Sequence, residues 1–143
     1  MSSQAVTLAD AVVTELNAGS FNQPFTAVRH LLPDYDLEDL ATLHVTVLPR
    51  QLTLERLNRA FIKAAYVIDV GIQKKIGADA DSELPGLIQL VEEITDYLAG
   101  RALAAMAGAQ WIANENDPLY DREHLSGRRV FTSVISATYW ITR

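Results

Sequence analysis

Few side chains in this sequence have the types and spacing that chemistry requires. The three histidines, His30, His44 and His124, are scattered, and none forms the helical i, i+4 pair of a zinc-binding HExxH. There is no GxSxG elbow, no phosphate-cradling glycine loop and no dinucleotide fingerprint. Cysteine is absent, which removes disulfides and thiolate metal sites. Asp79, Asp81 and Glu83 imitate the start of a calcium loop. Such a loop needs glycine at its sixth position and a bidentate glutamate at its twelfth; Leu84 and Leu90 stand there instead. Asp69 and His44 remain, each on a polar strand face. A charge there can face a channel, a partner or a small-molecule site, although a solvated face is the commoner role.

Three small basic groups stand at strand ends: Arg128-Arg129, Lys74-Lys75, and Arg56, Arg59 with Lys63. Each can meet phosphate or a neighbouring subunit's acidic face, or simply protect a sheet edge. Glu92, Glu93 and Asp96 can answer such cations across an interface, or form a wet helix face. Trp111, Trp140 and Tyr139 read as core, although aromatics near sheet edges are also favoured at interfaces.

The elements that must position these residues centre on 64–100. Tyr66, Ile68, Val70 and Ile72 alternate with Val67, Asp69, Gly71 and Gln73, a strand with one buried face. A helix over Ser82–Ala99 follows, its stripe Leu84, Leu87, Ile88, Val91, Ile94 and Leu98 spaced by threes and fours. Ser82 is its expected cap, with Pro85 in the first turn; Gly100 ends it and Arg101 meets its negative end.

Before this centre, Thr7 is the expected N-cap of a helix over Leu8–Asn17, closed by Gly19. Phe25–Leu32 reads as a strand stopped by Pro33-Asp34, and Asp36–Ala41 as one helical turn. Leu43–Leu48 is a strand that Pro49 should end. Over 51–64 a helix stripe (Leu54, Leu57, Phe61, Ala65) and a strand fit equally on period; we take the strand, with Asn58–Lys63 as an exposed hairpin tip. After the main helix, Ala102–Ala109 extends it or links onward, and Gln110–Asn114 is a short strand broken by Asn116-Asp117-Pro118. Tyr120–Leu125 is a loop that can hold a helical turn, and Ser126-Gly127 turns into a long β-branched strand, Arg129–Ile141. The order implies one α+β domain over 1–143: a mixed, mostly antiparallel β-sheet flanked by two helices.

At 143 residues one domain buries about 70% of its unfolded surface without metal or disulfide. The net charge of −6 and sequence pI of about 4.9 make it a poor nucleic-acid binder by default. The same sign suits a surface that DNA slides past. No secretory signal and no apolar run long enough to span a membrane is read.

With these residues in hand, the chain resembles the tail terminator (tail-completion) proteins of long-tailed bacteriophages and prophages. The resemblance rests on Tyr66–Lys75 (YVIDVGIQKK), Glu115–Tyr120 (ENDPLY), Arg129–Ile135 (RVFTSVI) and the opening Leu8–Gly19 helix. It implies a non-enzymatic ring, usually of six subunits, in the virion at the head-proximal end of the tail, assembled in the host cytoplasm. The ring binds the tail tube protein, stops tube polymerisation and offers a docking surface to the head-completion or connector protein. DNA passes through its lumen without specific binding; no cofactor, metal or membrane is implied. Interface and tube contacts are expected around the 51–64 tip and the 115–129 loop, with Arg56, Arg59, Lys63, Asp69, Asp117, Tyr120, Arg128 and Arg129 as candidate residues. The competing expectations are a head-completion or head–tail connector subunit and, in a different class, a small-molecule-binding or enzymatic α+β domain using Asp69 or His44.

Overall fold

The computed structural model describes residues 3–31, 39–77, 80–116 and 119–143. Helix α1 (Gln4–Ala18) leads to a short strand β1 (Ala27–Arg29) and a 3-10 turn (Asp39–Ala41). A long hairpin follows, β2 (His44–Arg56) and β3 (Ile62–Lys75). Helix α2 (Ala80–Leu98), strand β4 (Gln110–Asn116), a short helix α3 (Arg122–Arg128) and strand β5 (Val130–Thr142) complete the chain. The strands form one sheet in the order β1-β2-β3-β5-β4. Strand β1 pairs parallel with β2, and the other pairings among the described residues are antiparallel. This is the mixed α+β fold the sequence implies, with α3 as a third, short helix.

The core lies between one sheet face and the two long helices. Tyr66, Ile68, Val70 and Ile72 of β3 and Phe131, Ile135, Ala137 and Tyr139 of β5 meet Leu8, Val12 and Leu16 of α1 and Leu87, Leu90, Val91, Ile94 and Leu98 of α2. Period two in the strands and three to four in the helices puts each apolar set on one side. Helix α1 starts earlier than expected, because Ser3 rather than Thr7 is the cap: its hydroxyl accepts from the Val6 amide at 3.3 Å. Thr7 donates to the Ser3 carbonyl instead. Helix α2 also begins before Ser82, which leaves Pro85 at its sixth residue. Gly100, at φ +69°, closes it, and Arg101 Nε donates to the Tyr97 carbonyl at 2.9 Å.

Polar side chains bind the layers together. Asn17 pairs with both backbone groups of Ala27, at 2.7 and 3.1 Å, so a side chain acts as the missing outer neighbour of β1. The strand expected over Phe25–Leu32 is therefore only three residues long among the described residues. The buried Glu15 accepts from the Ala104 amide at 2.6 Å and faces Arg101 at 3.8 Å. It thereby anchors the 102–109 link, which forms turns rather than more helix. Asn114, on β4, donates to the Thr95 carbonyl of α2 at 2.8 Å.

Further expectations are corrected. Pro49 does not end its strand: β2 continues to Arg56, because the ladder register steps from Pro49↔Ile68 to Gln51↔Val67. Arg50 is the extra residue of a β-bulge, one of the places where a sheet tolerates proline. The helical turn open for 120–125 is a full short helix over 122–128, capped by Asp121 accepting from the His124 amide at 3.0 Å. Ser126-Gly127 is inside that helix, and the turn into β5 is made by Arg129 at φ 52°. Trp140 lies on the face opposite the core, since its neighbour Tyr139 points inward.

A candidate interaction surface

Two features stand out from this frame: an apolar arm and an uncovered sheet face. The arm is the far end of the β2–β3 hairpin. Strand β5 accompanies it only as far as Thr142, opposite Lys63, with Arg143 exchanging backbone bonds with Ile62. Beyond that the chain is a two-stranded ribbon, a structure that is marginal in water on its own. The hairpin preferred for 51–64 is present, with β3 starting at Ile62. Leu57 and Phe61 on this ribbon, and Leu52, Leu54 and Ile62 at its base where the β5 end still runs alongside, are 43–52% exposed. They are five of the eight large exposed apolar side chains among the described residues, so the concentration is local rather than scattered.

The arm is nevertheless ordered by polar contacts. Asn58 Oδ1 accepts from the amides of Ala60 and Phe61 at 2.8 and 3.0 Å, which fixes the tip as an Asx-type turn. Glu55 and Lys63 face each other across the strands at 2.8 Å. The hydrogen bond and charge of Lys63 hold the Glu55 carboxyl below its ordinary 4.5. The same ammonium sits 3.6 Å from the centroid of the Trp140 ring, a cation–π contact. Lys63 is thus the hub of the arm's base. Arg56 and Arg59 are exposed at the tip.

The second feature is the sheet face turned away from the helices. Two cavities lie along it, of about 160 and 380 Å³. They share Asp69 and Val134, so they form one trough. Its floor carries Thr132, Val134 and Ser136 on β5, opposite Gln73, Gly71 and Asp69 on β3, with Thr46 and Leu48 of β2 alongside. At its centre Asp69 is held from two sides. Arg50 Nε lies 2.8 Å from Asp69 Oδ2, and Ser136 donates to Oδ1 at 2.8 Å. Arg50 also donates to Ser136 Oγ at 3.2 Å. Asp69 is neither a bare channel charge nor a solvated one: its side chain is 13% exposed. Glu115, on the edge strand β4 and exposed, closes the trough.

Neither a protein-family model nor a curated protein matches this chain by sequence.

The remaining candidate residues sit apart from the trough and arm. Tyr120 is partly buried, stacked on Phe131 at 6.1 Å between centroids. Arg129 donates to the Gly77 carbonyl at 2.8 Å, which ties the start of β5 to the end of β3. Asp117 lies outside the described residues, as does the Arg128 side chain. Asp79 is outside them too, while Lys74 pairs with Glu83 at 3.4 Å. His124 Nδ1 lies 3.1 Å from Thr132 Oγ1. Arg56, Arg59 and Lys63 share the arm; Asp69 is on the trough floor.

Arg50 escaped the sequence reading, although a signal for it exists. The apolar positions of β2 are odd before it (Val45, Val47) and even after it (Leu52, Leu54). A change of parity inside one strand is what an inserted residue produces. A further cleft of about 400 Å³ opens beside the bulge, where Gln4 accepts from Tyr66 and Arg143 at 2.9 and 3.0 Å. Among the described residues no helix is long and apolar enough to cross a membrane.

Proposed function

We propose that this chain is a structural subunit of a bacteriophage tail. Copies of it form a ring, of six in the family it resembles, that caps the head-proximal end of the tail tube. The ring ends tube growth and presents a docking surface to the head connector. The work is assembly, without catalysis or a cofactor, and DNA crosses the lumen without specific capture.

One observation carries the reading: the ordered hairpin arm with five half-exposed apolar side chains. Covering the exposed half of each contributes about 1 kcal/mol, a gain that an apolar surface on another subunit supplies. The acidic net charge suits a lumen that repels phosphate. The resemblance in Tyr66–Lys75, Glu115–Tyr120 and Arg129–Ile135 supplies the phage setting.

Electron microscopy of particles made without this chain tests the proposal. The expected outcome is tubes that overrun their normal length and fail to join filled capsids. Tubes of normal length carrying filled heads overturn it.

A further inference from the structure

The geometry points to a second copy of this chain as the occupant of the trough: the hairpin tip of one subunit seats on the open sheet face of the next. The inference deepens the ring reading and rests on it for closure of the cycle.

Two surfaces of one molecule are complementary. The tip offers Leu57 and Phe61, about half-exposed, flanked by Arg56 and Arg59. Neither arginine side chain makes a hydrogen bond or ion pair among the described residues. The trough floor has no side chain at Gly71 and only short ones at Val134 and Ser136, which leaves a hollow for a protruding ring or isobutyl group between Leu48 and Gln73 on one side and Glu115 on the other. Its central carboxylate is already neutralised by Arg50 and Ser136, so covering it leaves no buried charge unpaired. What remains is Glu115, exposed, with no hydrogen bond or ion pair made by its side chain among the described residues. Counting Arg50, Asp69 and Glu115, the trough carries one net negative charge, and the tip carries two positive ones. An apolar knob with cations meets a shallow hollow with an acidic rim.

The contact cannot form within one molecule. Asp69 and Lys63 lie six residues apart along β3, about 20 Å at strand rise, and the tip lies farther out still. Tip and trough are different surfaces, so the contact is heterologous: each subunit gives its tip to one neighbour and its trough to the other. Such contacts close into a ring where the rotation permits, and otherwise run on as a filament.

Arg59→Glu and Glu115→Arg, both at exposed positions, test this by sedimentation at micromolar concentration, with circular dichroism confirming the fold. The wild-type chain is expected to associate. Each variant alone places like charges in contact and is expected to lose at least tenfold in association, about 1.4 kcal/mol. A one-to-one mixture restores both contacts and is expected to regain the wild-type mass with equal amounts of each variant. The inference is overturned by a monomeric wild type, by single variants that associate like the wild type, or by a mixture that stays apart or stops at dimers. Any of these leaves the tube-capping reading to the microscopy of particles, where it stands or falls separately.

Discussion

Arg50 and Asp69 are an ion pair made by a bulge. Pro49 and Gln51 hold ladder positions opposite Ile68 and Val67, and the extra residue between them swings its guanidinium to 2.8 Å from the Asp69 carboxylate. A regular strand has no spare residue at this point. Asp69 faces away from the core in any register that buries Tyr66, Ile68 and Val70, so the bulge supplies the cation that lets it sit 13% exposed.

The first prediction concerns that pair. Arg50→Ala leaves Asp69 with Ser136 alone and is expected to cost about 1 kcal/mol, less than a fully buried pair because Arg50 is 48% exposed. Asp69→Ala removes the partner as well. The double variant is expected to cost less than the two single losses together, with a coupling of about 0.5–1 kcal/mol. Urea denaturation of the four proteins measures it. Strict additivity would show that the contact contributes nothing.

Glu15 is the second. Its carboxylate accepts from the Ala104 amide at 2.6 Å in a nearly solvent-free position. Glu15→Ala orphans that amide and is expected to cost about 2 kcal/mol. Glu15→Gln keeps an acceptor there and is expected to cost less. Hydrogen exchange at Ala104 reads the difference directly: fast in the alanine variant, protected in the glutamine variant. Equal exchange in both would place the anchor of the 102–109 link elsewhere.

Tyr139 is the third. Its hydroxyl is buried and has no hydrogen-bond partner among the described residues. Burial, and to a lesser extent the charge of Glu15, pushes the phenol well above its ordinary 10.0. The unfolded chain therefore releases this proton at lower pH than the folded one. Stability from Tyr139 is whole below pH 10 and is lost as the pH rises through the folded group's value. Tyr139→Phe removes a buried unpaired hydroxyl and is expected to raise stability at neutral pH by about 1 kcal/mol. It is also expected to flatten the alkaline decline. Denaturation midpoints taken at rising pH separate the two effects; an unchanged alkaline limb would contradict the assignment.

Much of this fold is readable from residue order, for definite reasons. Alternation in Tyr66–Ile72 and Phe131–Ile141, and the three-four stripe of α2, are direct imprints of a single buried side on each element. Gly100 and Arg101 mark a helix end through local chemistry. The errors fall where local rules compete. Pro49 obeys the rule against proline in a ladder, but a bulge suspends it. The peptide 120–127 has turn-forming residues, yet Asp121 caps a helix through them, and the left-handed position falls on Arg129 instead of a glycine. Trp140 is aromatic and β-favouring, but parity with Tyr139 sends it outward onto Lys63.

The candidate surface divides in the same way. That Asp69 lies on the polar side of β3 follows from period, because it depends on neighbours close in sequence; over 51–64 period left helix and strand level, and the ladder to β3 decides for the hairpin. That Arg50 and Ser136 close on Asp69, 19 and 67 residues away in sequence, follows from strand order and register. So does the meeting of Lys63 with Trp140 and of Glu15 with Ala104. Side-chain periodicity says which way a residue points; only the pairing of distant strands says what it points at.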